Sequence, residues 1–407
     1  MSMLTCLDIN PPSREEGLRR LTSIVPKLGS DYAKNRNFDR GIGGHSSVSM
    51  LSPWIRHRLL LEEELIREVV AEHGYQAPQK FIQEVFWRTY WKGWLELRPK
   101  VWDDYIRERD NAISDFHADV NLYRAVAAKT GIECFDYWVN ELKETNYLHN
   151  HARMWFASIW IFTLKLPWVL GADFFLKHLI DGDPASNTLS WRWVAGLQTP
   201  GKTYLARAEN IKKFTEGRFN PKAQLATVAS QLSGSPIPTP TSIKVSPPPR
   251  SGVKTIWLIT EDDLALHEPP IPTNNVTCVA AVNTSNNRAL GGVAKRVLSF
   301  IEGGIHDATS NFGRQHGVPV EHISMGDPDA LSCLIKKHKA SQFIVSHIPV
   351  GPGRDLVRQI KKTTQDHGIH LTEIIRDWDS LSWPHATKGF FKFKEAIPSI
   401  LAKMSLA

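Results

Sequence analysis

The sequence predicts a helical region followed by an α/β region with a parallel sheet, and three observations support this. Up to about residue 250 the apolar residues recur at helical spacing, and no convincing alternating strand appears. The segment 233–252, SGSPIPTPTSIKVSPPPRSG, holds six prolines among small polar residues, buries little and reads as an extended linker. Beyond it, short β-rich runs alternate with helical stretches, the pattern of parallel strands joined by crossovers. The expected division is 1–232 helical, 233–252 linker and 253–407 Rossmann-like α/β.

Taken in order, the text from Glu62 through Trp94 has helical spacing punctuated by Gly74 and Pro78, which predicts two helices. Helices also fit Asp136 to Lys143, Ala152 to Lys165 and Asp173 to Ile180. After the linker, TIWLIT (Thr255 to Thr260), VTCVAAV (Val276 to Val282), SQFIVSHI (Ser341 to Ile348) and LTEII (Leu371 to Ile375) read as strands. The helical stretches between them are Ala289 to Ile301, Asp329 to Lys339 and Arg354 to His367.

At 407 residues, 42% hydrophobic and 22% charged, the chain has material for two cores. Its net charge of +7 favours an anionic partner, although a solvated basic surface gives the same number. Cys6, Cys134, Cys278 and Cys333 are too scattered for a CxxC metal pair or a disulfide framework, so free thiols in a reducing cytoplasm are expected. The opening MSMLTCLDINPPSREE lacks the apolar core of a secretory signal. The most apolar run, Trp155 to Leu170, is interrupted by Lys165 and Pro167 and reads as a buried helix, not a membrane span. Of 14 tryptophans, 11 lie between Trp54 and Trp193, dense enough to raise a stacking or electron-transfer site beside the plainer reading of a large aromatic core.

Four stretches carry chemistry. Ser46 to Trp54 puts hydroxyls and free amides at a helix entrance, where phosphate oxygens bind, yet Ser before Pro is also an ordinary cap. Glu84, Trp87, Arg88 and Trp91 stand at i, i+3, i+4 and i+7, so one helix face presents a carboxylate, two indoles and a guanidinium. That face is either an ion pair over core tryptophans or a surface for stacking a base and bonding its edge. Asn146 to Met154 is a polar cluster opening an aromatic helix, and Asp181-Gly182-Asp183-Pro184 is a turn followed by Asn187, Trp191 and Trp193.

Together these elements resemble the photolyase/cryptochrome superfamily. The family's ordered set stands here as Tyr32 with Arg36, Ser49 to Pro53, Glu84 with Trp87 and Arg88, His149 to Met154, Asp181 to Asp183, Asn187, and Trp191 with Trp193. The resemblance covers about residues 30 to 200. Because the α/β material follows the helical part, the order is similar to that of the short, inverted-topology bacterial photolyases (the NewPHL group).

The resemblance implies an N-terminal FAD-binding helical domain, with the α/β domain covering the FAD site. FAD would be lined by Tyr32, Val48, Ser49, Met50, Leu51, Ser52, Phe81, Arg88, Asn150, Arg153, Asp181, Gly182, Asp183 and Asn187. Glu84, Trp87, Asn150, Met154 and Trp193 would take a flipped pyrimidine dimer, with Arg36, Tyr90, Trp91 and His151 also facing DNA. Trp191 and Trp168 would form the photoreduction path. The implied activity is light-dependent splitting of cyclobutane dimers by electron transfer from excited reduced FAD. A monomer acting on UV-damaged, single-stranded DNA is implied, with no metal, no antenna chromophore and no membrane. The rival readings are a cryptochrome-like blue-light sensor, a (6-4) photolyase using His149 or His151, and a helical single-strand binder with a decayed flavin pocket.

Overall fold

The computed structural model describes residues 11–199, 201–324, 327 and 329–406. Cys6 and the first ten residues of the opening run lie outside the described residues. Among those described, every regular element up to Phe214 is a helix. The stretch 62–94 forms Glu62–His73 and Gln79–Glu96. Gly74, with φ +66°, ends the first, and Pro78 opens the second. Helix Glu133–Thr145 stops at Asn146 in the left-handed region, a conformation that a short amide side chain tolerates. The apolar run from Trp155 is not one α-helix: Asn150–Ser158 loosens into a π-helical turn, Ile159–Thr163, and a separate helix runs from Trp168 to His178. No helix among the described residues is long and apolar enough to cross a membrane.

The C-terminal strands are β1 (Thr255–Thr260), β2 (Val276–Val282), β3 (Val320–Ile323), β4 (Gln342–Ser346) and β5 (His370–Ile374). They form one sheet in the order β3-β2-β1-β4-β5, all pairs parallel. β1 and β4 are buried along their whole length, which is why they read as near-continuous apolar runs. Alternate residues serve different cores. Ile256, Leu258, Cys278 and Ala280 pack with Leu331, Leu334, Leu356 and Ile360 from helices Ala330–His338 and Arg354–Asp366. Trp257, Ile259, Val279 and Ile344 join the large core that also holds the helical region. Helix Lys295–His316 supplies Phe300, Ile301 and Ile305 to that shared core.

At the carboxyl edge of the sheet the loops after β1 and β4 grip the helical region. Arg56 Nη1 lies 2.5 Å from Asp262, and Arg58 Nη2 lies 2.6 Å from Asp379. Asp263 is shared between Arg376, at 2.7 Å, and Arg58, at 3.9 Å. His57 faces the Glu261 carbonyl at 2.7 Å, and its own carbonyl accepts from the Leu264 amide. His347, after β4, sits between Glu96 of helix Gln79–Glu96 at 3.4 Å and Glu373 of β5 at 2.5 Å. Burial pulls its imidazole down, but Glu96 and Glu373 outweigh burial and lift it to about 10. A pKa raised on folding stabilises fully below the unfolded value of 6.5, declines above it and contributes nothing beyond about 10. Urea stability is therefore expected to fall between pH 7 and 10, and His347→Gln should flatten that fall.

After β5 the chain leaves the sheet and returns to helix Gln79–Glu96 through Asp377–Ser382, Phe390–Lys394 and Ile397–Lys403. Trp378 stacks on Phe86 with centroids 4.6 Å apart, and its indole N–H donates to Thr89 Oγ1 at 2.8 Å. Gly93 makes room for this packing: a Cβ there would lie 2.6 Å from the Trp383 ring and 2.9 Å from its Cα. The proline-rich stretch is irregular, as its composition predicts, and is tied down where the Thr241 amide donates to Leu97 O and Arg98 Nε to Pro238 O.

Candidate functional site

A cavity of about 470 Å³ opens inside the helical region, and its lining residues run from Tyr32 to Val194. Helix Gln79–Glu96 contributes Phe81, Glu84, Trp87, Arg88 and Trp91; helix Asn150–Ser158 contributes Asn150, His151, Arg153 and Met154. Helix Pro184–Val194 adds Asn187, Trp191 and Trp193, and the turn before it adds Asp181, Gly182 and Asp183. Tyr32, Arg36, Val48, Ser49, Met50 and Ser52 close the remaining side. Met50 holds φ at +53°, a strained value for a long side chain, in the serine-rich loop that sequence reasoning marked for phosphate.

Three expected residues are not at the cavity. Leu51 is fully buried behind the loop, and Tyr90 is turned away to donate its hydroxyl to Lys388 O at 2.9 Å, because Phe390 and Phe393 pack around its ring. Trp168 is a core residue against Tyr105, with Arg192 over its ring, so it would serve only as a buried relay. Among the described residues, none that lines the cavity comes from the α/β region, which holds the cavity's backbone from behind. Arg288 donates to the carbonyls of Leu176, Leu179 and Gly182 at 2.8, 2.5 and 2.8 Å, and Arg56 spans Asp262 and, at 3.6 Å, Asp183. These arginines had no sequence signal, because their partners lie more than a hundred residues away. Tyr147 and Ser186 were also missed as lining residues, although Ser186 stands inside the recognised turn motif.

The electrostatics are arranged in two zones. Burial pushes the Asp181 carboxyl up, but Arg153 at 2.9 Å, Ser52 and Arg88 outweigh it and hold the group below its usual range. Asp183, also buried, is brought to about 2 by Arg56, Arg88 and Lys92, and it caps its helix by accepting from the Ser186 amide at 2.6 Å. Burial lowers the Arg88 guanidinium, with Asp183 and Asp181 partly offsetting it. In the other zone burial raises Glu84 despite Arg36 at 3.5 Å. The two zones thus set anchored anions and cations beside a carboxyl biased towards its neutral form.

Several polar groups on cavity residues await a partner. Asp181 Oδ1, Ser186 Oγ and Trp191 Nε1 are buried without one, a set of acceptor and donors suited to a polar heteroaromatic ligand. Asn187 Nδ2 donates to Ala172 O at 2.9 Å, which leaves its Oδ1 to offer a ligand. Trp191 is held by a close approach, since a Cβ at Gly171 would come within 2.3 Å of its ring. His151 stacks on Trp155 at 4.1 Å and faces Asn37 O, whereas His149 turns to Arg36 O and is pulled down to about 3 by burial and by His45. Among the described residues two clusters have metal-ligand composition, the buried Asp39, His45 and Glu141, and Cys278 with the half-buried Glu321 and His338. In each a cation already compensates a carboxylate, Arg218 at Asp39 and Lys337 at Glu321.

Residues 81–227 match the family described as the FAD binding domain of DNA photolyase. A deoxyribodipyrimidine photo-lyase of Streptomyces griseus is 32% identical over 186 residues, 46% of this chain and 39% of that protein. The protein of the same name from Alkalihalophilus pseudofirmus is 28% identical over 191 residues, 47% of this chain and 39% of its own length. The chain thus spans about two fifths of the length of these relatives. A class III photolyase from Agrobacterium tumefaciens superposes with a TM-score of 0.43 at 23% identity, covering 51% of this chain and 44% of that one. Over residues 81–227, the chain is similar to the FAD-binding domain of DNA photolyases.

Proposed function

We propose that the chain binds FAD in this cavity and uses light to split cyclobutane pyrimidine dimers, preferentially in single-stranded DNA. The observation that carries the reading is that one cavity joins the set expected for a flavin, Arg88, Arg153, Asp181 and Asn187, to the set expected for a flipped dimer, Glu84, Trp87, Asn150, Met154 and Trp193. When bound, FAD supplies light-driven one-electron chemistry, in which two cyclobutane C–C bonds break and the electron returns. The protein's part is to orient and to exclude water. Trp87 is backed on one face by Phe390 at 3.6 Å, which fixes its indole as a platform on which a base stacks. Glu84, its carboxyl raised above the usual range by burial despite Arg36, faces the polar edge of the lesion, and Arg36 beside it meets the strand.

The deciding experiment is repair of cyclobutane dimers and (6-4) products, each in single- and double-stranded oligonucleotides, under light and in the dark. Colourless, flavin-free protein after gentle purification, or flavin photoreduction with no loss of either lesion, refutes the reading. Because burial raises the Glu84 pKa, dimer repair should fall as pH rises through that raised value, and Glu84→Gln should remove this limb while keeping a donor.

Photoreduction has an aromatic route. Trp191 is 6.3 Å from Trp160, while Trp168 continues through Tyr105 at 5.8 Å to Trp102 at 5.1 Å. Trp191→Phe is expected to slow photoreduction of oxidised protein at least tenfold while chemically reduced protein still repairs. Unchanged photoreduction means that electrons enter elsewhere.

A further inference from the structure

Of the 17 phenylalanines, Phe391 alone is exposed, at 84%, and it stands in the basic run Lys388-Gly389-Phe390-Phe391-Lys392-Phe393-Lys394. Its neighbours are not loose. Phe390 is buried and stacked on Trp87, Phe393 is fully buried, and the backbone just before them is held by Tyr90 donating to Lys388 O and Arg98 to Thr387 O at 2.7 Å. A ring kept in water on a fixed platform, one residue from the stack on a cavity tryptophan, offers a preorganised face to a planar partner. Charge selects the occupant: within 388–394 there are three lysines and no acid, and Lys388 and Lys392 are exposed. Lys392 reaches only the exposed Glu395, a pairing that is easily exchanged.

We propose that Phe391, with Lys388 and Lys392, forms a second nucleic-acid contact outside the cavity: a base flanking the lesion stacks on the Phe391 ring while the lysines hold the adjoining phosphates. The contact rests on the photolyase reading and extends it, placing the damaged strand along the C-terminal helices of the α/β region. It also gives those helices a role beyond packing, because the same short segment backs Trp87 from inside and meets the strand from outside.

The test uses the full chain and titrates irradiated and unirradiated oligo(dT) into parent protein, Phe391→Ala, Phe391→Trp and the double variant Lys388→Ala/Lys392→Ala. Phe391→Ala is expected to raise the Kd for the irradiated single strand about tenfold, the size of one lost base stack, with flavin absorbance and melting temperature as in the parent. Phe391→Trp should bind at least as tightly as the parent. The double lysine variant should lower the salt dependence of binding by about 1.4 in log–log slope, the value for two single-strand phosphates. If Phe391→Ala binds like the parent while the parent repairs dimers, the contact is refuted and the photolyase reading stands. If the parent neither binds nor repairs irradiated DNA, both fall. Capture of a protein by parent but not by Phe391→Ala, with DNA affinity unchanged, would also overturn the proposal.

Discussion

Replacing Arg288 by methionine is expected to cost about 3–5 kcal/mol of stability and to release flavin from protein that still folds. The guanidinium is 1% exposed and satisfies three carbonyls, two of which, Leu179 and Gly182, belong to the turn that presents Asp181 and Asp183. Methionine keeps much of the volume but offers no donor, so three buried carbonyls lose a charged donor at once, Leu179 O keeping only the Gly182 amide, and the turn must shift to reach water. Arg56 also donates to Gly182 O, at 3.3 Å, which should keep the loop from collapsing completely. Arg288→Lys keeps the charge but gathers its donors on one nitrogen that does not reach all three carbonyls, and it should fall between. Urea denaturation gives the energy, and flavin retained through gel filtration reports the turn; a variant that loses stability but keeps its flavin would separate the turn from cofactor binding.

Trp378→Ala is expected to be comparably damaging, about 3–5 kcal/mol, because a fully packed indole is deleted from the seam between the C-terminal helices and helix Gln79–Glu96. The loss should reach the site, since that helix carries Glu84, Trp87, Arg88 and Trp91 all within about one and a half turns of the Thr89 contact. Trp378→Phe keeps the stack on Phe86 and loses only the bond to Thr89, so about 1 kcal/mol is expected. Near-ultraviolet circular dichroism with chemical denaturation distinguishes the two variants. Equal losses would mean that the hydrogen bond, not the packing, holds the seam.

The strands most legible in the sequence were those buried on both faces. β1 and β2 stand where TIWLIT and VTCVAAV placed them, because a central parallel strand is written as an unbroken apolar run. The edge strand β3, Val-Glu-His-Ile, escaped because it is short, polar at both central places and at most half-buried. The helices after β5 escaped too; their apolar residues answer to helix Gln79–Glu96, not to a period of their own, and Pro384 and Pro398 break them into short pieces. At the site, the residues that touch the cavity were legible because their types cluster within single helices and turns. What steadies them was not: Arg288, Arg56 and Phe390 act across the chain, and a distant arginine that meets backbone carbonyls leaves no motif.

The gripping of the helical region by the carboxyl edge of the sheet has a consequence for cooperativity. In open parallel sheets the crevice beyond the strand ends, at the point where strand order reverses, is the usual seat of a small molecule. Here the reversal falls between β1 and β4, and the loops that follow those two strands are engaged with Arg56, His57 and Glu96. Pulling the halves apart would strand several buried charges and divide a common apolar core, so neither half gains by opening alone. The chain reads as two folding units in sequence, yet energetically it is one foldon.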